Sequence, residues 1–316
     1  PECHFAAKVG GDEGELVRVL GLWRSCAAYG LAEPLISTLP ATGDASTWLL
    51  LETLCHLPIG DATVSPNAVP PLGAVPVLEP SGADARARWQ CIMSYVPAAL
   101  DDMDSTSASL SDGGAAAHLL GSYLQASKPA LDAAVLTPWC DQLGERFARP
   151  AARGMPCARA VGVLEANAGG PPGGAPLPDF WRAITGAVGC LLGYTRFLWQ
   201  LSRAHPQLSV SWRDADGEDD VAALLARVAA ALPAAVGGGG ARGGARGALL
   251  TAAGQLAYFC TRLVDAIDAA GDDETPDDAA MTLALCGASW LRTGDDVMAR
   301  ELITSVIMRH SADAHR

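Results

Sequence analysis

The chain has 316 residues, half of them hydrophobic, enough to build the core of one large domain or two ordinary ones. Its 35 acidic residues outnumber 22 basic ones, and the resulting net charge of −13 excludes a broad phosphate-tracking surface, because nucleic-acid binding rests chiefly on Lys and Arg. Nine cysteines (Cys3, Cys26, Cys55, Cys91, Cys140, Cys157, Cys190, Cys260 and Cys286) stand singly, with no CxxC pair and no histidine at ligand spacing; this points to reduced, buried thiols and away from a disulfide framework or zinc site.

The opening PECHFAAKVGGDEGE carries no initiator Met, basic start or apolar signal core, as expected of a domain cut from a longer protein. Helical periodicity then recurs along almost the whole length, while strictly alternating β-branched runs are nearly absent, so the expected class is all-α, an irregular multi-helix bundle. Asp12 and Glu15 have capping-box spacing for a helix that stops at Gly30. STWLLLETLCHL, from Ser46, predicts a second helix ended by Pro58. Six prolines between Pro58 and Ala83 then interrupt regular hydrogen bonding and predict a long irregular connection. Helices resume over ARARWQCIMSYVPAAL, AAAHLLGSYLQAS, PALDAAVLTPWCDQLGERFA (with a kink or break at Pro138) and CARAVGVLEANA.

The segment GGPPGGAPLPD, Gly169 to Asp179, is the best candidate boundary, separating an N-terminal helical part (1–168) from a C-terminal bundle (177–316), unless the two form one continuous domain. Asp179 is the predicted N-cap of a long helix in which Ile184, Val188, Leu191, Leu192, Thr195, Leu198 and Leu201 share an apolar face. The apolar run from Ala183 to Leu201 is interrupted by Arg196, so a buried helix is expected and not a membrane span. DDVAALLARVAAALPAAV follows from Asp219, then the Gly-rich loop GGGGARGGARG, 237–247. Three further helices close the chain; the middle one has Thr275 as predicted N-cap, Pro276 at its first position and a stop at Gly294. Helix lengths vary too much for a repeat.

Candidate chemistry is sparse. AALDDMDSTSASL places Asp101, Asp102 and Asp104 just after an apolar segment. DDMD resembles the first aspartate-rich motif of class I terpenoid synthases, all-helical enzymes in which paired carboxylates, here Asp101 and Asp102, would hold Mg²⁺ against a diphosphate. Those enzymes need a second metal motif, and VDAIDAAGDDE lacks its hydroxyl and spacing. STSASLSDGG also favours turns, so the aspartates read as part of a solvated loop, one whose Ser-rich acidic composition suits phosphorylation.

The glycine run contains a formal GxGxxG but follows no strand, and two arginines, Arg242 and Arg246, are few for an RGG-type RNA contact; a flexible interhelical loop is the expectation. DADGEDD, Asp214 to Asp220, lacks the terminal Glu of a calcium loop and reads as a solvated loop ending in an N-cap. The six histidines (His4, His56, His118, His205, His310 and His315) are dispersed, with no HExxH or GxSxG partner motif. No catalytic, cofactor-binding or metal-binding residue is assigned. Of eight tryptophans, most are expected in the core, with one or two left to anchor a partner.

Three segments, VLTPWCDQLGERFARPAARGMPCARAVGVLEA (135–166), LLGYTRFLWQLSRAHPQLS (191–209) and LALCGASWLRTGDDVMARELITSVIMRH (283–310), cover about a quarter of the chain. In that order they resemble the alphaherpesvirus outer-tegument proteins encoded as a related pair beside the virion transactivator, the RNA-binding, phosphorylated branch being the nearer likeness. The resemblance implies a non-enzymatic virion protein of the tegument and of the host nucleus and cytoplasm. Its implied partners are the transactivator, the host-shutoff nuclease and nuclear-egress proteins, with RNA bound through a basic arm that this sequence lacks. A cellular all-α scaffold and the Mg²⁺-dependent terpenoid-synthase-like enzyme are the alternatives.

Overall fold

The computed structural model describes residues 44–55, 92, 94–127, 146–147, 149–150, 154–170, 177–206, 208, 212, 220–237, 244–269, 278–291 and 296–314. Among the described residues there are nine helices and no strand: α1 (Ala45–Cys55), α2 (Val96–Asp104), α3 (Leu110–Ser127), α4 (Pro156–Asn167), α5 (Leu177–Ala204), α6 (Val221–Gly237), α7 (Gly244–Asp268), α8 (Asp278–Trp290) and α9 (Asp296–Ala314). The class is all-α. The predicted Asp12 capping box, the Pro-rich connection 58–83, most of the helix around Pro138 and the Thr275 cap fall outside the described residues.

Several helices start where a side chain takes up an orphan backbone N–H. The Asp44 carboxylate accepts from the backbone N–H (2.8 Å) and the hydroxyl (3.0 Å) of Thr47. Asp220 does the same for Ala223 N–H at 2.6 Å, so DADGEDD does end in an N-cap, and Asp220 is the residue that makes it. Ser109 and Asp112 form a reciprocal pair: Asp112 N–H donates to Ser109 Oγ (3.0 Å), and Ser109 Oγ donates to the Asp112 carboxylate (2.7 Å). This pair starts α3 at Leu110, five residues ahead of the expected Ala115.

Other predicted boundaries shift for physical reasons. Within the helix expected over Ala85 to Leu100, Ser94–Tyr95 form a turn and α2 begins at Val96, because Pro97 fits only in a first turn, where its missing N–H has no partner to lose. α5 begins at Leu177, so Asp179 lies in the first turn instead of capping it. Gly244 to Gly247, assigned to the Gly-rich loop, form the first turn of α7 despite the low helix propensity of glycine. Gly170, at φ +88°, supplies the left-handed residue after α4 and returns its N–H to Asn167 C=O at 3.0 Å.

α5 is the spine. At 28 residues it runs roughly 42 Å, and it packs against α3, α4 and α7. Every residue of its predicted apolar face is fully buried, and Tyr194 and Phe197 bury the rest of that turn. α1 and α2 lie on α3; α6 touches α4, α7 and α8; α9 lies on α8 and α7. Helices from both sides of the 169–179 segment share one continuous hydrophobic core, while α8 and α9 enclose a small second cluster of Ala284, Ala288, Leu291, Leu302 and Val306.

Two glycines let the spine and α3 touch backbone to backbone. A β-carbon at Gly193 would sit 2.5 Å from the Gly114 carbonyl oxygen, and one at Gly114 would sit 2.8 Å from Cys190 Cα. Five thiols are described, all free; Cys55, Cys157, Cys190 and Cys260 are buried, and burial raises the pKa of Cys157, Cys190 and Cys260.

Candidate functional site

Asp101, Asp102 and Asp104 occupy the last turn of α2, not a loop. The carboxylate of Asp102 accepts from the indole N–H of Trp48 at 2.7 Å, and Trp48 itself is fully buried in α1. Asp101 and Asp104 both accept from the Arg146 guanidinium, Asp101 at 2.9 Å. The three carboxylates therefore diverge, one toward α1 and two toward Arg146, where a shared metal would need them to converge. Burial raises the pKa of Asp102 and of Asp104 above the ordinary carboxylate value, against the lowering pull of Trp48 in one case and Arg146 in the other. The solvated-loop reading is thus corrected: Asp101 is exposed, but Asp102 and Asp104 are half-buried packing contacts.

The turn that follows is short and tied down. Ser105 and Ser107 hydroxyls share a hydrogen bond at 2.8 Å, the Arg159 guanidinium donates to Ala108 C=O, and the buried Tyr194 hydroxyl donates to Met103 C=O. Asp112 Oδ1 accepts the Ala45 N–H at 2.9 Å, joining the starts of α1 and α3. Chemically the motif is a clasp that holds α2 against α1 and α5.

A second polar cluster lies deeper. Arg196, the charge that interrupts the apolar run of α5, donates to Glu52 of α1 at 3.1 Å and to Gln125 of α3 at 3.2 Å, and Ser122 of α3 donates to the same Glu52 oxygen at 3.1 Å. The Arg196 and Glu52 side chains are only 12% and 8% exposed. One ion pair between residues 144 positions apart thus joins α5 to α1, and the hydrogen bonds of Gln125 and Ser122 add α3.

The outer face of α5, α7 and α9 is of another kind. The Arg203 and Arg262 guanidinium carbons lie 5.9 and 5.4 Å from the centre of the partly buried Trp199 ring. Tyr258 of α7 donates its hydroxyl to Glu301 of α9 at 2.6 Å; burial, then Glu301, pushes the phenol pKa up to about 12. Ser305 donates to Asp265 at 3.2 Å. Elsewhere, α6, α7 and α8 enclose an apolar cleft of about 190 Å³ lined by Leu225, Cys260, Val264 and Leu283, where the buried thiol is held protonated.

Compared with protein-family models, with curated proteins and with solved structures, the chain matches none.

The remaining sequence candidates do not assemble into a centre. His118 is fully buried in α3 with Nε2 3.3 Å from Gly189 C=O, and His205 follows the end of α5. Arg246 lies in α7, while Arg242 is outside the described residues. No group of three or more His, Cys, Asp or Glu among the described residues is placed to hold a metal ion, and no described helix is long and apolar enough to cross a membrane. Sequence reasoning missed Glu52, Arg146 and the Arg203–Trp199–Arg262 group. Arg203 stands four residues after Trp199 on one helix, a spacing that signals stacking, but Arg262 arrives only through the fold.

Proposed function

We propose that the chain is a non-enzymatic interaction domain, the core of a virion tegument protein that binds other viral proteins and acts in viral gene expression and assembly in the host nucleus and cytoplasm. The observation that carries the non-enzymatic reading is the divergence of Asp101, Asp102 and Asp104 onto Trp48 and Arg146, which makes the one enzyme-like motif a packing device. The tegument assignment rests on the resemblance of the segments 135–166, 191–209 and 283–310. Their described parts form α4, the second half of α5, and α8 with α9. Partners in this reading are the virion transactivator, the host-shutoff nuclease and nuclear-egress proteins; the basic arm through which the resembled family binds RNA is not in this sequence.

The test is direct titration calorimetry of the purified chain against the purified transactivator and the purified host-shutoff nuclease. Saturable binding to either supports the reading. Absence of binding to both, together with Mg²⁺-dependent diphosphate release that is lost in Asp101→Asn and Asp102→Asn variants, would replace it with the enzyme.

A further inference from the structure

The outer face of α5, α7 and α9 concentrates Trp, Tyr and Arg, the side chains that contribute most to protein interfaces. Arg203 is exposed; its guanidinium lies over the Trp199 ring, and its charge also acts on the Tyr258 phenol. Arg262 reaches the Asp265 carboxylate at 4.0 Å, and among the described residues its buried Nε has no hydrogen-bond partner. Asp265 also accepts from Ser305. Among the described residues, two guanidiniums thus lie beside one indole, and no hydrogen bond engages Arg203 or the terminal nitrogens of Arg262. Burying planar donors beside an aromatic ring suits bidentate capture of a carboxylate, because the ring excludes water while the fork supplies two parallel N–H bonds.

The face is also polarised. The two arginines border α5, whereas Glu301, holding the Tyr258 hydroxyl, borders α9. Along α9, Val297 lies four residues before Glu301 and Met308 three after Ser305, so helical spacing sets both on the flank that meets α7; they are 58% and 66% exposed. We propose that this face docks a short acidic peptide segment with interspersed apolar residues, its carboxylates seated on Arg203 and Arg262 over Trp199 and its apolar side chains against Val297 and Met308. The proposal deepens the interaction reading and rests on it only in assuming that the chain acts through protein contacts. A nucleic acid fits less well: two arginines bounded by Glu301 and Asp265 make a point contact, where a phosphate backbone needs an extended basic stripe.

The test is fluorescence anisotropy of the full chain with a short fluorescein-labelled peptide of Glu and Asp interspersed with Leu and Phe. A peptide with Gln and Asn in place of the acids and a labelled single-stranded RNA of similar length serve as the other probes. The acidic peptide is expected to bind, and Arg203→Glu and Arg262→Glu to weaken it by roughly tenfold or more each. Arg182→Glu, an exposed position at the start of α5, is expected to leave it unchanged. Arg203 is a surface residue, so its variant tests the site even if Arg262→Glu disturbs folding, with thermal unfolding as the control. No binding of the acidic peptide, equal binding of the neutral one, equal loss in Arg182→Glu, or RNA bound more tightly through the same arginines would each overturn the proposal. Peptide binding without binding of the transactivator or nuclease would keep this surface and remove the tegument reading, and the reverse result would do the opposite.

Discussion

Around α1, α2 and α3 the polar side chains are turned inward and engaged. Glu52 meets Arg196, Trp48 meets Asp102, and Tyr194 meets the Met103 carbonyl. On the outer side of α7 and α9 the same residue types face outward. Arg203 and Arg262 lean on Trp199, and the strongly exposed large hydrophobics among the described residues, Leu285, Val297, Ile303, Ile307 and Met308, all lie on α8 and α9. The contrast separates two uses of polar chemistry. A buried charge pair favours one packing of the helices that carry it, since other arrangements strand a charge, whereas an exposed arginine on an indole adds little stability and leaves its donors toward solvent.

The largest effect should come from breaking the inward side. Glu52→Ala or Arg196→Ala leaves an uncompensated buried charge and should cost about 3–5 kcal/mol, read as a lower urea midpoint. The double variant Glu52→Leu with Arg196→Met should recover much of that loss. Failure of the double variant to recover it would show that the pair does not act as a unit. Next in size, Gly193→Ala forces a β-carbon onto the Gly114 carbonyl and should destabilise by about 1–3 kcal/mol, while Gly186→Ala, with open space around it on the same helix, should not.

Asp102 sharpens the comparison further. Asp102→Ala strands the buried Trp48 N–H and should cost about 1–3 kcal/mol, whereas Asp102→Asn keeps an acceptor there and should cost less. Because the folded pKa of Asp102 lies above its ordinary 3.8, the folded state holds the proton more tightly than the unfolded chain. Its contribution therefore declines as pH rises from the ordinary value through the folded one, and Asp102→Asn should flatten that part of the stability–pH curve. Glu165 has the opposite sign. Arg227 hydrogen bonds hold its pKa below the ordinary 4.5, so its contribution is present above that value and fades as pH falls through the lowered one, a trend Arg227→Gln should remove. Smallest of all, Ile307→Ser on the outward side should shift stability by no more than about 0.5 kcal/mol, since that side chain is 56% exposed.

Helix content, the apolar face of α5 and the Asp220 cap were legible in the residues because each depends on neighbours within about one helical turn. The start of α3 at Leu110 was not legible, because the run of Ser, Asp and Gly argued for a loop; the Ser109–Asp112 pair and the packing of Gly114 against α5 decide for helix. The aspartate cluster misled for a related reason. DDMD as a string suggests convergent ligands, and only the positions of Trp48 and Arg146, dozens of residues away, send the carboxylates apart.

The sequence alone determined the all-helical class, the acidic net charge and the spine helix, because composition and periodicity act locally and additively. Tertiary structure alone decided that Arg196 is half of a buried pair with Glu52 and that Arg262 joins Arg203 on Trp199. Whether a charge faces inward against a partner side chain or outward toward solvent depends on which distant helix arrives beside it, and no local spacing encodes that.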